Sequence, residues 1–115
     1  MNKIKPSISF EDFTKADVRI GTIIEVNDFP KAHKPAFQLT IDFGELGIKK
    51  SSAQITKRYS KDQLVGKQVT AIINFEAKQI ADFKSECLIL GVQQGDEVTL
   101  LQASKQPIKN GEQVS

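Results

Sequence analysis

The sequence predicts an all-β fold, because apolar and polar residues alternate with a period of two through several short segments. Turn residues separate these segments at short intervals, and one short helical segment interrupts them after the third. The chain has 115 residues, of which 39% are hydrophobic and 26% charged, which is typical of one globular domain. We therefore expect a single domain over residues 1–115, with a core at about 10–101 and terminal extensions at 1–9 and 102–115.

A short helix and a long strand are expected at the start of this core. Ser9 precedes Asp12 by three residues, a spacing that caps a helix N-terminus. The apolar residues of the strand that follows share one parity; they are Val18, Ile20, Ile24 and Val26. We expect these four to face the core, and Gly21 to mark a bulge or bend in the strand.

The rest of the chain supplies further strands and a second helix. The clearest alternation covers residues 37–43, and a polar strand is expected at about 48–55. Ser60 and Gln63 form a capping-box pattern, which predicts a short helix that ends at Gly66. Strands are also expected at 67–74 and 98–101, and the unbroken apolar run Cys87–Val92 predicts a strand buried on both sides. This order matches a five-stranded Greek-key barrel of OB type, whereas an SH3-like barrel lacks the helix.

The distribution of charge is more informative than the formal net charge of +2. Residues 46–67 hold six basic residues and one acidic residue, a local surplus of five positive charges. Such a surface attracts phosphates, although solvated lysines on an ordinary polar face are the alternative. No segment approaches the roughly 20 apolar residues that cross a bilayer, and the N-terminus does not resemble a signal peptide. With one cysteine, these features lead us to expect a cytoplasmic protein without membrane insertion.

The sequence offers no catalytic constellation. His33 lies in a loop with no Cys/His cluster around it, and Cys87 opens an apolar run, where a buried inert thiol is expected. The sequence contains neither a Gly-rich phosphate loop nor a serine nucleophile elbow. We therefore expect a binding protein, not an enzyme, with no cofactor and no metal.

Three segments resemble the tRNA-binding-domain family. Residues 17–23, DVRIGTI, look like its opening strand, and residues 47–56, GIKKSSAQIT, are similar to its CsaA branch. The third segment runs from Asn74 through Lys78 to Gly91 and resembles the N-L-x-P-x-K pattern in its CsaA form. The resemblance implies an OB barrel that forms a homodimer through its terminal extensions as well as through barrel surface. It also implies tRNA binding for the family, and chaperone activity on exported preproteins for the CsaA branch.

The same resemblance implies a binding surface. Asn74, Lys78 and Ser85 stand where the family contacts RNA, with chemistry suited to a base edge, a phosphate and a 2′-OH. Asn74 is equally well explained as a turn residue, and Lys78 and Ser85 as solvated loop residues. Lys49 and Lys50 on the middle strands would extend the basic groove.

The chain departs from the family pattern around this surface. Ala77, Ala81 and the pair Cys87-Leu88 replace the family's proline, glycine and G-M pair. Phe75 and Phe83 flank the loop, where an exposed ring can stack on a base or hold an apolar peptide; Phe75 in the core is the alternative. These changes favour peptide over RNA.

Two functions follow as hypotheses. The first is an ATP-independent, export-related chaperone that binds unfolded preproteins, and the second is a tRNA-binding protein without a chaperone role. Phe10 and Phe13 of the N-terminal helix pack either on a second copy or on the chain's own barrel, and the sequence leaves both open.

Overall fold

The computed structural model describes residues 3–115, and within this range the chain forms two short helices and nine strands. The helices are α1 (Phe10–Thr14) and α2 (Lys61–Leu64). The strands are β1 (Val18–Asp28), β2 (Phe37–Asp42), β3 (Ile48–Ala53), β4 (Gln68–Ile72), β5 (Lys78–Ile80), β6 (Phe83–Ser85), β7 (Leu88–Ile89), β8 (Gly91–Gln94) and β9 (Glu97–Leu100). None of the helices in this range is long and apolar enough to cross a membrane.

Five strands form one antiparallel sheet in the order β3-β2-β1-β4-β7, and two hairpins, β5–β6 and β8–β9, extend it. The sheet curls until β3 meets the chain that follows β6, where the Glu86 N–H donates to the Lys50 carbonyl at 2.7 Å. The result is a nearly closed five-stranded barrel with α2 after its third strand. The predicted OB barrel is confirmed.

Both helices begin where the capping patterns predict. The Ser9 hydroxyl accepts the Asp12 N–H and the Asp12 carboxylate accepts the Ser9 N–H, at 3.1 and 3.2 Å. Ser60 and Gln63 form the same reciprocal pair at the start of α2. Each box satisfies two main-chain N–H groups that a short helix leaves free.

The predicted inward face of β1 is confirmed for Val26, which packs against the central core, but is wrong for the other three residues. Gly21 and Ile23 face the central core, while Ile24 is exposed and Val18 and Ile20 are buried outside it. The register shifts between Ile23 and Glu25, so the bulge lies there and not at Gly21. Gly21 instead allows close packing, since a Cβ on it would stand 2.7 Å from the Ile41 and Phe43 side chains.

Two hydrophobic clusters stabilise the barrel. The central cluster fills the interior and includes Leu39, Ile41 and Phe43 of the β2 segment, all fully buried as its alternation predicts. A smaller cluster at one end contains Phe29, Ala36 and Phe83.

The expectation that Cys87–Val92 forms a strand buried on both sides holds only for Cys87 and is wrong for the residues that follow it. Cys87 is buried, but Leu88 and Val92 are about half exposed, at 47% and 49%. Only β7 of this run pairs with β4, and the chain then turns into the β8–β9 hairpin, in which every residue of β8 is exposed. The apolar run therefore lines an open surface.

The C-terminal extension lies along β1. The Gly111 N–H donates to the Ile20 carbonyl at 2.7 Å, and the Val114 N–H donates to the Val18 carbonyl at 2.8 Å. The side chain of Gln68 bonds to the main chain of Ile108 from the neighbouring strand. This segment therefore pairs with the edge of β1 at Val18 and Ile20, which β2 leaves free because its pairing with β1 begins at Thr22.

Candidate ligand-binding surface

Three of the predicted site residues lie close together where β3 meets the β5–β6 hairpin. The Ser85 hydroxyl accepts the Ser52 N–H at 3.2 Å, and Lys78 lies directly opposite Ser85 across the hairpin. The main chain of Lys50 is fixed by both the N–H and the carboxylate of Glu86, at 2.7 and 3.0 Å. The structure therefore brings Lys50, Lys78 and Ser85 to one region of the surface.

Lys49 does not share that face. Side chains alternate along a strand, so Lys49 projects on the same side as the buried Ser51, opposite to Lys50. It lies near Cys87, whose pKa is raised to about 11 by burial, and the charge of Lys49 opposes that rise. Cys87 is thus a protonated thiol at neutral pH, as the sequence predicts for an inert cysteine.

The basic stretch over residues 46–67 is partly neutralised. Lys57 pairs with Asp96 at 3.5 Å and Lys61 with Asp28 at 2.9 Å. Within residues 3–115, Lys50 and Lys78 form no salt bridge. Lys49, Arg58 and Lys67 also form no salt bridge in this range, so unpaired positive charge occurs at several places on the surface, and Lys50 and Lys78 are two residues that offer it to an anionic ligand.

The side chain of Asn74 has a structural role. Its side-chain carbonyl accepts the Asp17 N–H at 2.9 Å, and its amide donates to the Lys15 carbonyl at 2.7 Å. These bonds join the end of β4 to the segment between α1 and β1. The amide that the resemblance assigns to RNA is thus engaged with main chain, in line with the alternative of a structural turn residue.

The two phenylalanines predicted to flank the loop have different environments. Phe75 is 56% exposed and is available to a ligand. Phe83 is only 8% exposed and packs on Phe29 with ring centroids 5.4 Å apart, so its prediction as an exposed binding residue is wrong. The physical reason is a partner 54 residues earlier in the sequence, which local pattern does not reveal.

Sequence reasoning missed a groove of about 700 Å³ beside the barrel opening. One wall is residues 52–57, which continue β3, and the other is the β8–β9 hairpin. The lining is mixed: it contains the apolar residues Leu88, Ile89 and Val98 and also charged and polar ones, among them Lys34, Lys57, Gln93 and Asp96. A smaller recess of about 250 Å³ shares Lys34, Ser52 and Gln54 with it, so the two lie next to each other. The feature of the sequence that could have indicated this groove is the apolar run at 87–92, which by itself predicts a buried strand.

The family model described as "Putative tRNA binding domain" matches residues 18–113. That range is most of the chain and includes the whole barrel. The chain belongs to the tRNA-binding-domain family.

Two solved structures resemble the chain over its whole length. The chaperone CsaA from Bacillus anthracis is 49% identical, with a TM-score of 0.90, and the match covers 96% of this chain and 100% of that one. The CsaA chaperone protein from Picrophilus torridus is 47% identical, with a TM-score of 0.88, covering 95% and 100%. The predicted resemblance to the CsaA branch is confirmed.

Curated relatives include much longer proteins. The methionine–tRNA ligase of Thermococcus onnurineus is 35% identical over 99 residues, and that of Porphyromonas gingivalis is 40% identical over 93 residues. These matches cover 86% and 81% of this chain but only 13% of each ligase. The chain therefore corresponds to one small part of those enzymes.

Proposed function

We propose that this chain is an ATP-independent chaperone that binds unfolded segments of export-bound preproteins in the cytoplasm. The observation that carries the proposal is the groove of about 700 Å³ between residues 52–57 and the β8–β9 hairpin. Its volume is in the usual range of ligand sites, and Leu88, Ile89 and Val98 in its lining offer apolar contacts to the side chains that unfolded polypeptides expose. The likeness to two CsaA chaperones along their full length supports the same function.

The test is aggregation of a denatured client, followed by light scattering without ATP. We expect the chain to suppress scattering, and Leu88→Asp to remove most of that effect by placing a charge in the groove. Val65→Asp is the matched control, because Val65 is similarly exposed, at 51% against 47%, and does not line the groove. Suppression that survives Leu88→Asp would exclude the groove, and no suppression by the unaltered chain would exclude the function.

We also propose that the chaperone is a homodimer built through its N-terminal segment. All residues from Lys3 to Thr14 are exposed, and Phe10 and Phe13 contact each other with ring centroids 6.2 Å apart. Phe10 is 76% exposed, so its ring does not pack on the chain's own barrel. An apolar arm of this kind is stabilised by a second copy.

Size-exclusion chromatography with light scattering tests the dimer. Phe10→Ser with Phe13→Ser is expected to give monomers, while Phe75→Ser, which removes another exposed ring, leaves the dimer intact. Monomers of the unaltered chain at micromolar concentration would refute this part of the proposal.

tRNA binding is the second candidate, favoured by the unpaired charges of Lys50 and Lys78 beside Ser85. If each lysine neutralises one phosphate, Lys50→Ala with Lys78→Ala lowers the slope of log K against log salt by about 1.4 to 1.8. Lys57→Ala with Lys61→Ala removes the same net charge from residues already paired with carboxylates, and serves as control. Equal slopes for the two double variants would refute a tRNA site at this position.

A further inference from the structure

One face of the β8–β9 hairpin forms a wall of the groove. The hairpin residues that line the groove include the cross-strand pairs Gly91–Leu100 and Gln93–Val98, whose members project to the same side of the hairpin. At the base of the hairpin, Leu100 is buried in the central cluster and its N–H donates to the Tyr59 hydroxyl at 3.1 Å. The base of this wall is therefore fixed to the barrel.

The tip of the same hairpin is held by much less. Every residue from Gly91 to Glu97 is exposed, and within residues 3–115 no strand of the barrel pairs with the hairpin. Asp96 at the turn pairs with Lys57 at 3.5 Å, and both residues line the groove. In the described part of the chain, this ion pair is the only side-chain hydrogen bond or salt bridge that joins residues 91–97 to other segments. It therefore connects the two walls of the groove at the tip.

An ion pair with this exposure is weak. The side chains of Lys57 and Asp96 are 58% and 78% exposed, so water and salt screen the attraction between them and the pair opens readily. When it opens, the tip has few buried contacts to hold it, while the base stays fixed at Leu100. The tip can then move away from residues 52–57, and the groove widens.

We propose that the tip of the β8–β9 hairpin is a gate on the groove and that the Lys57–Asp96 ion pair is its latch. This role rests on the proposed chaperone function and specifies how a client enters and leaves. Because the latch joins two side chains of the protein and does not contact the client, it stabilises the closed gate in the free and in the client-bound chain alike. Opening it therefore speeds entry and release by the same factor and leaves the affinity nearly constant. A chaperone that works without ATP releases its client passively, so the gate sets the rate of exchange.

Stopped-flow fluorescence anisotropy tests the gate. The probe is a short peptide in which valine alternates with threonine, with blocked termini and an uncharged fluorophore, so that salt does not act on its charge. We expect Asp96→Asn to raise the association and the dissociation rate constants together, by about two- to fivefold, which is the range for loss of an exposed ion pair. Salt is expected to raise both rate constants of the unaltered chain, because it screens the latch, and to have no such effect on Asp96→Asn.

Two variants and a second measurement serve as controls. Asp28→Asn removes a carboxylate from another exposed ion pair, with Lys61, that does not line the groove, and it is expected to leave both rate constants unchanged. Lys57→Asp with Asp96→Lys restores an ion pair of reversed sign and is expected to restore the rates of the unaltered chain. Nitrogen relaxation by NMR follows the tip without any client, and we expect larger motion at residues 93–97 in Asp96→Asn.

Three results would overturn the gate. Equal rate constants for Asp96→Asn and Asp28→Asn, with unchanged relaxation at the tip, would show that the ion pair controls nothing. A rise in the dissociation rate constant alone, which the charge exchange does not reverse, would make Asp96 a contact of the client. In both cases the peptide still binds and the chaperone function stands. Absence of any peptide binding, together with no suppression of aggregation by the unaltered chain, would remove the chaperone function and the gate with it.

Discussion

Replacing Asn74 by alanine removes the two hydrogen bonds that hold the segment after α1 to the end of β4. Each such bond contributes about 1 kcal/mol net, and because Asn74 is exposed, water replaces part of the loss. We expect the variant to lose about 1 kcal/mol of unfolding free energy in total. For a domain of this size that lowers the melting temperature by about 4 °C.

The assay combines thermal unfolding with hydrogen exchange at the Asp17 amide, which loses its acceptor in the variant. Protection of that amide is expected to fall by about fivefold. Asn27→Ala is the control, since the side chain of Asn27 forms no hydrogen bond within residues 3–115 and its loss leaves both readouts unchanged. An unchanged melting temperature and Asp17 exchange, with loss of tRNA affinity, would refute a structural role for Asn74 and make it a ligand contact.

Three further predictions concern stability. Phe83→Ala is expected to lower the free energy of unfolding, measured with urea, by about 3 kcal/mol, because the Phe83 ring is buried against Phe29. Phe75→Ala is expected to change it by less than about 0.5 kcal/mol, because the Phe75 ring is exposed, and equal losses for the two variants would contradict these environments. Ala81→Gly is expected to raise the free energy of unfolding by roughly 1 kcal/mol, because Ala81 has a φ of 52°, a left-handed conformation that glycine adopts without strain. Thermal unfolding measures the change, and a decrease would argue against the left-handed conformation at Ala81. The free energy of unfolding is expected to fall from pH 9 toward 11, because burial raises the pKa of Cys87 in the folded state from 9.0 to about 11, so the folded state holds the thiol proton more tightly than the unfolded state. The pH profile of unfolding should lose this decrease in Cys87→Ala, and identical profiles for the two proteins would contradict the prediction.

Features encoded locally were predicted well from the sequence. The two capping boxes depend on residues three apart, and the alternation at 37–43 identifies a strand by itself. The inward face of β1 was not predictable in this way, because the bulge between Ile23 and Glu25 resets the alternation and because Val18 and Ile20 are buried outside the central core. An apolar residue covered by a distant segment looks the same in sequence as one that faces the core.

The candidate site was predicted in part for the same reason. Lys50, Lys78 and Ser85 come together because the barrel closes between β3 and the end of β6. The hydrogen bonds of Asn74 with the main chain could not be predicted locally, because its two partners lie 57 and 59 residues away. The groove was missed because its walls come from segments about 40 residues apart, which only the closed barrel brings together.

The central claim is that this chain binds unfolded polypeptide. Fluorescence anisotropy of a labelled, reduced and carboxymethylated client tests it most directly, with RNase-treated protein and no ATP. We expect saturable binding that the folded form of the same client does not show and that Leu88→Asp weakens. Absence of saturable binding, or equal binding of the folded and unfolded forms, would contradict it.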